Sequence, residues 1–166
     1  MRKFTFCLLA VLWLSALVAN QGRPDQTDTA TYTAKVIRIA DGDTVTVQTK
    51  DYEQIKIRLY GIDAPESDQP GGAEAKAALD TLYGQKIKIK PLDEDRYGRS
   101  VALIEFKGQS VNLSLVSQGL AWHYVKYCKA QPICGHIKAA EAEAREAKRG
   151  LWSGNPMPPW DWRHKK

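Results

Sequence analysis

The chain has little of several features that characterise particular protein classes. Its 166 residues include three cysteines, twelve glycines and eight prolines, too few for a disulfide-dense mini-protein or a collagen. A single long apolar run excludes a multi-pass membrane protein, and a 43% hydrophobic content excludes a disordered chain. One packed domain fits this length, and the formal net charge of +5 does not by itself indicate a polyanionic partner.

The apolar run lies at the N-terminus, where Arg2 and Lys3 precede the uncharged residues 4–18 and Ala19 follows. These 15 residues are short for a membrane span and suit the core of a signal peptide. We therefore expect residues 1–19 to be removed and the protein to be exported, periplasmic or secreted, without stable membrane association. An uncleaved anchor is the alternative. Removal takes two positive charges and leaves a net charge of +3.

Two cysteines, Cys128 and Cys134, lie outside this leader and are six positions apart. In an oxidising compartment two cysteines of a small domain most often pair, so we expect a disulfide. Free thiols are one alternative. A zinc site with His123 and His136 is another, because the ligand types suit zinc although their spacing matches no zinc-finger pattern.

The pattern along the rest of the chain predicts one domain between two short flanking segments. Residues 20–31 are polar and indicate a flexible N-terminal segment, residues 32–153 form the domain, and residues 154–166 form a tail rich in proline and tryptophan. We expect Trp160 and Trp162 in this tail to pack on the domain; stacking on nucleic acid is the alternative.

Apolar periodicity within the domain predicts an α+β fold with five strands and about three α-helices. Alternation predicts strands over residues 32–39, 44–47, 55–60, 86–90 and 101–106. Spacings of three and four predict helices over residues 75–83, 110–118 and 137–151. Five short strands with a helix between the third and the fourth is the order of an OB-fold-type β-barrel.

Three charged segments lie in the predicted loops and strand ends. They are Asp41-Gly42-Asp43-Thr44, Arg58 to Glu66, and Asp95-Arg96-Tyr97-Gly98-Arg99. Each by itself is typical of an ordinary turn. The two carboxylates and the arginine of the middle segment, close to a second pair of aspartates, also suit a hard cation and a phosphate group.

Together and in this order the three segments resemble the thermonuclease family, small secreted Ca²⁺-dependent nucleases typified by staphylococcal nuclease. The resemblance runs from about Lys35 to Trp152 and includes Asn112-Leu113, Leu115-Val116, Gly119-Leu120-Ala121 and Gly150-Leu151-Trp152. It implies Ca²⁺ as cofactor, DNA or RNA as substrate, and hydrolysis of phosphodiester bonds to 3′-phosphate ends. We also expect a monomer.

The resemblance further implies a role for individual residues of the three segments. Asp43, Asp63 and the backbone carbonyl of Ala64 match the calcium ligands, and Asp41 matches an acidic position that supports them. Glu66 matches the general base that acts on a water molecule. Arg58 and Arg99 match the two arginines that hold the scissile phosphate.

Three tyrosines are candidates for substrate contacts. Tyr97 matches an aromatic position beside the nucleotide pocket, and Tyr124 and Tyr127 are candidates to stack on a base. The short loop 67–72 departs from staphylococcal nuclease, which has a long lysine-rich loop there, and so leaves the substrate preference open.

Two further hypotheses compete with a nuclease. One is a catalytically silent nucleic-acid-binding module of the same fold, which loss of Glu66, Arg58 or Arg99 would have favoured. The other is an exported structural or oligosaccharide-binding barrel, which leaves the matched acidic and basic residues without a purpose. Glu66, Arg58 and Arg99 are all present, so the sequence favours the enzyme over both alternatives.

Overall fold

Five strands close into a barrel in the computed structural model, which describes residues 30–165. The elements in chain order are β1 (Tyr32–Ile39), β2 (Thr44–Gln48), β3 (Gln54–Leu59), β4 (Ile62–Asp63), α1 (Gly72–Asp80), β5 (Lys86–Glu94), β6 (Ser100–Phe106), β7 (Gln109–Ser110), α2 (Val111–Ser117), β8 (Trp122–His123), α3 (Ile133–Glu146) and α4 (Pro159–His164). Short 3₁₀ helices lie at Val125–Tyr127 and Gly150–Ser153.

The barrel closes through one parallel pairing. Strands β1, β2 and β3 form an antiparallel meander, β1 also pairs with β5, and β5 pairs with β6. Strand β6 then lies parallel to β3, with Ile57 opposite Ser100. The alternate residues of each strand that point inward are buried and apolar, which is why alternation in the sequence is informative. The predicted OB-fold-type α+β class is confirmed.

Three elements differ by three or more residues from their predicted extent. Strand β5 continues to Glu94 where a turn was predicted, because its residues after a bulge at Pro91 still pair with β6. Helix α1 begins at Gly72 and ends at Asp80, and α3 begins four residues before Ile137 and ends at Glu146. The tail contains a fourth helix, α4, which the proline-rich composition did not predict.

Asn112 connects helix α2 to the barrel. Its fully buried amide accepts a hydrogen bond from the backbone N–H of Ile104 at 3.0 Å and donates to the carbonyl of Tyr60 at 2.9 Å. A buried amide with its partners in place fixes the position of both segments. The end of β3 is thereby tied to β6.

A disulfide joins Cys128 and Cys134, as expected, and excludes the zinc site and the free thiols. The sulfur of Cys128 packs against Gly61, which has a φ of +74° and where an added Cβ would lie 2.6 Å from it. The hydroxyl of Tyr60 accepts hydrogen bonds from the backbone N–H groups of Lys129 and Ala130 at 2.8 and 2.9 Å. The disulfide loop therefore supports the chain between β3 and β4.

The predicted signal peptide, residues 1–19, lies outside the described residues, as does nearly all of the predicted N-terminal segment. Within residues 30–165, no helix combines the length and the apolar character needed to cross a membrane. The predicted domain boundaries stay a prediction.

Candidate active site

Two buried aspartates converge on one arginine at one end of the barrel. Arg58 on β3 lies opposite Thr44 of β2 in the antiparallel register, which brings its side chain to Asp43 at the start of that strand. One guanidinium nitrogen of Arg58 contacts Oδ1 of Asp43, and Nη2 donates to Oδ1 of Asp63 at 2.7 Å. The side chains are 3% exposed for Asp43 and 0% for Asp63, so both carboxylates need a cationic partner, and Arg58 is one that they share.

Asp43 is held by a turn and by its neighbours. Its backbone N–H donates to Oδ1 of Asp41 at 3.0 Å, an interaction typical of aspartate in tight turns. Its carboxylate accepts from the hydroxyl of Thr44 at 3.1 Å and from the backbone N–H of Ala64 at 2.8 Å. Asp41 therefore stabilises the turn before β2. The Asp43 carboxylate connects β2 to the segment that follows β4.

Asp63 is positioned by a second, smaller sheet. Strand β4 pairs with β8, where Asp63 lies opposite Trp122. Trp122 is itself buried and packs edge-on against Trp152 with ring centroids 5.1 Å apart. The β4–β8 pairing thus joins the backbone of Asp63 to that of a buried, well-packed tryptophan.

Glu66 lies at the rim of the site, 36% exposed. The backbone N–H of Glu66 donates a hydrogen bond to the side-chain oxygen of the buried Gln69 at 3.1 Å. At Gly72, where α1 begins, an added Cβ would lie 2.0 Å from the carbonyl oxygen of Glu66. The start of α1 therefore fixes the backbone of Glu66, and no side chain fits at Gly72.

A residue of the tail, Arg163, completes the cluster and was missed by the sequence analysis. Its Nη2 lies 2.8 Å from Oδ2 of Asp63, and its Nη1 lies 2.6 Å from Oε1 of Glu66. Partial burial, which lowers the pKa of the Arg163 guanidinium, is outweighed by the hydrogen bonds to Asp63 and Glu66, which raise the pKa above its ordinary value. No spacing in the sequence could have indicated this contact, because 97 residues separate Arg163 from Glu66.

Arg99 lies outside this cluster and is held by its own turn. It precedes Ser100, which pairs with Ile57 beside Arg58, so its backbone lies at the same edge of the barrel. Its Nε donates to Oδ2 of Asp95 at 2.6 Å, and Oδ1 of Asp95 accepts from the backbone N–H groups of Tyr97 and Arg99. Partial burial, which raises the pKa of the Asp95 carboxyl, is outweighed by these hydrogen bonds, which lower the pKa.

Replacing Asp95 with asparagine is expected to lower the free energy of unfolding at neutral pH by about 1 kcal/mol. The folded protein holds the pKa of Asp95 below its unfolded value, so its stabilisation is present above about pH 4 and is lost as the pH falls through the folded-state pKa. Thermal unfolding measured from pH 2 to pH 7 should show the two proteins converging in acid. Asp51→Asn, in an exposed turn, is the control, and a pH-independent difference for Asp95→Asn would contradict the assignment.

The three candidate tyrosines lie in different environments. Tyr97 is 68% exposed, with the guanidinium of Arg96 4.8 Å and that of Arg99 5.6 Å from its ring centroid. Tyr124 stacks in parallel on Trp160 of the tail, with centroids 5.5 Å apart, and contacts Tyr127 at 4.8 Å. A base that stacks on the face of Tyr124 covered by Trp160 would have to replace that tryptophan. Of the two tail tryptophans expected to pack, Trp160 packs on this ring and Trp162 donates to Asp68 at 3.2 Å.

The described residues contain no group of three or more histidine, cysteine, aspartate or glutamate side chains arranged to hold a metal ion. The reason is visible in the cluster: Asp43 and Asp63 direct their oxygens at Arg58, and Glu66 is joined to Asp63 only through Arg163. Two guanidinium groups therefore stand where these carboxylates would hold a cation: Arg58 between Asp43 and Asp63, and Arg163 between Asp63 and Glu66.

Comparisons with known proteins agree with the resemblance seen in the sequence. A family model described as staphylococcal nuclease homologue matches residues 56–154. An uncharacterized endonuclease of Haemophilus influenzae is 39% identical over 136 residues, 81% of this chain and 74% of that protein. A micrococcal nuclease of Shigella flexneri is 36% identical over 145 residues, 81% of this chain and 82% of that protein.

A plant relative is similar over a shorter stretch. The staphylococcal-like nuclease CAN1 of Arabidopsis thaliana is 43% identical over 116 residues, which cover 69% of this chain. The match accounts for 35% of the plant protein, so this chain corresponds to about a third of it.

Proposed function

Because the chain belongs to the staphylococcal nuclease homologue family and is a phosphodiester hydrolase, we propose that it is a Ca²⁺-dependent endonuclease acting on DNA and RNA. The observation that carries the proposal is the convergence of Asp43 and Asp63 on a single cation position, with Glu66 at its rim. A binding module would have no need to bury two carboxylates beside a third at the end of its barrel.

The donor set suits calcium. Asp43 and Asp63 offer hard carboxylate oxygens, the backbone carbonyl of Ala64 is a third candidate ligand, and Ca²⁺ takes carboxylate, carbonyl and water oxygens. Because both aspartates are buried, water offsets little of their negative charge, and they therefore attract a cation strongly. When bound, the ion supplies positive charge that offsets the charge built up on the phosphate during hydrolysis.

The side chains of the protein supply phosphate binding and proton transfer. Arg58 and Arg99 bind the non-bridging oxygens of the scissile phosphate, because a guanidinium fork matches phosphate geometry. Glu66 accepts a proton from the attacking water as the water oxygen bonds to phosphorus. The bond from phosphorus to the 5′ oxygen breaks, the 5′ oxygen takes a proton from solvent, and a 3′-phosphate end remains.

The same proposal covers the setting of the enzyme. It acts as a monomer, exported to the periplasm or the surrounding medium after loss of residues 1–19, without stable membrane association. A net charge of +3 after that loss is modest, so attraction of the substrate is local rather than long-range.

Cleavage of plasmid DNA and of a structured RNA by the purified protein tests the function. We expect cleavage with Ca²⁺, none with a calcium chelator, and recovery when Ca²⁺ is added back. End-group analysis should find 3′-phosphates. Salt-dependent DNA binding without cleavage would support the silent binding module instead, and absence of both would contradict either nucleic-acid function.

A further inference from the structure

The tail that carries Arg163 is attached to the domain at several points that do not involve Arg163. The side chain of Gln69 donates to the carbonyl of Met157 at 2.6 Å, Trp160 stacks on Tyr124 with a 4° angle between ring planes, and the indole of Trp162 donates to Asp68. Pro159, the first residue of α4, is buried. These contacts pack helix α4 against the domain. They hold the backbone of Arg163 in a position from which its side chain reaches the carboxylates of Asp63 and Glu66.

Arg163 occupies the atoms that a calcium ion would need. Oδ2 of Asp63 accepts from Nη2 of Arg163 at 2.8 Å, and Oδ1 of Asp63 accepts from Arg58 at 2.7 Å and more weakly from Nη1 of Arg163 at 3.3 Å. Both oxygens of this fully buried carboxylate are thus engaged by guanidinium groups. An ion at calcium distance from either oxygen would also lie close to a second positive charge, and the two repel.

Glu66 is engaged by the same guanidinium. Its Oε1 accepts from Nη1 of Arg163 at 2.6 Å, shorter than most neutral hydrogen bonds and typical of a charge-assisted one. One side chain of the tail thus covers a buried carboxylate on the floor of the site and the exposed carboxylate at its rim.

We infer that Arg163 is a further residue of the active site, one that competes with Ca²⁺ for Asp63 and holds Glu66 until the ion binds. The inference rests on the proposed function, because it takes Asp63 as a metal ligand. Calcium binding and release of Arg163 are then one exchange of cations on the same carboxylate. Arg163 sets the calcium concentration at which the enzyme becomes active.

The size of the effect follows from exposure. The Arg163 side chain is 38% exposed and its partner Glu66 36%, which weakens their ion pair, whereas Asp63 is fully buried. A site that is free of Arg163 only part of the time binds calcium more weakly by that fraction. We expect Arg163→Gln to tighten the dissociation constant for Ca²⁺ by about threefold to tenfold.

Calcium titration by calorimetry into the chelator-stripped full protein tests the exchange. Lys165→Gln is the matched control, since it removes the same charge two residues further along the tail, and it should bind calcium like the unmodified protein. Arg163→Lys keeps the charge but lacks the fork, so its affinity should lie between those of the unmodified protein and Arg163→Gln. Trp160→Ala keeps Arg163 but removes the stack on Tyr124; it should tighten calcium binding by lowering the effective concentration of Arg163 at the site.

The outcomes separate this inference from the function it rests on. If the unmodified protein binds Ca²⁺ and cleaves DNA but Arg163→Gln has the same dissociation constant, the competition is refuted and the proposed function stands. Unchanged calcium affinity with slower cleavage would make Arg163 a third phosphate-binding arginine instead, which also overturns the inference. If neither protein binds Ca²⁺ and cleavage is independent of it, the calcium proposal fails and the competition fails with it.

Discussion

Replacing Glu66 with glutamine is expected to lower kcat by about 10²- to 10⁴-fold, the range that general base catalysis contributes. Glutamine keeps the shape and the hydrogen-bonding reach of the side chain but cannot accept a proton from water at neutral pH. The loss should appear in kcat rather than in KM, because Glu66 acts on the water and not on the bound phosphate. Initial rates on plasmid DNA measure it.

Two conditions keep this result interpretable. Cleavage is measured at saturating Ca²⁺, because glutamine at position 66 is a weaker, uncharged partner for Arg163. The substitution therefore also changes the calcium concentration that the enzyme requires. Glu74→Gln is the control, since Glu74 is an exposed glutamate in the first turn of the adjacent helix α1. Glu66→Gln with the activity of the control would remove Glu66 from the mechanism.

Replacing Arg58 with glutamine is expected to impair both stability and activity. Asp43 and Asp63 would remain buried with much of their positive partner gone, which should lower the free energy of unfolding without calcium by about 3 kcal/mol. Calcium should restore part of this stability, because an ion that binds only the folded state stabilises it. At saturating Ca²⁺ the rate should still be about 10²- to 10³-fold lower, since one of the two arginines that stabilise the transition-state charge is missing.

Lys56→Gln is the matched control for Arg58→Gln. Lys56 lies two residues earlier on β3 and is exposed, so its loss removes one positive charge from the same strand without exposing the buried aspartates. Denaturant unfolding with and without Ca²⁺, together with cleavage rates, separates the two effects. Equal stability of Arg58→Gln and Lys56→Gln would show that the aspartates do not depend on Arg58, and a calcium-independent deficit would contradict a shared cation position.

The sequence predicted the barrel and the centre of the site because both depend on local patterns. Alternation over β1 to β3 predicts a meander, and the meander register itself brings the start of β2 to the end of β3, hence Asp43 to Arg58. Asp63 and Glu66 follow directly on that strand. Their proximity is a consequence of short connections, which a single sequence contains.

What the sequence did not predict depends on contacts between distant segments. Strand β5 runs past Pro91 only because β6 offers partners beyond the bulge, and turn-forming residues in that stretch conceal this. Helix α4 is six residues long and is held by packing rather than by its own propensity. Arg163 reaches Asp63 across 100 residues, so the cation that closes the site could be found only in three dimensions.

The partner of Tyr124 was missed for the same reason. An exposed aromatic near a phosphate site is a reasonable stacking surface for a base, and its sequence neighbours do not indicate otherwise. In the folded chain, a tryptophan 36 positions later already covers the ring. The roles of Tyr97, Tyr124 and Tyr127 in substrate binding stay predictions.

The disulfide that packs against Gly61 makes the geometry of the active site depend on whether Cys128 and Cys134 are oxidised. Sulfur of Cys128 fills the space under the turn that leads from Arg58 to Asp63, and the hydroxyl of Tyr60 holds the loop that contains it. A reduced chain therefore lacks one of the supports on which the spacing of those two residues rests. We expect reduction of the disulfide to loosen the arginine–aspartate pair, so that a thiol reductant lowers activity without reacting with any group that faces the substrate.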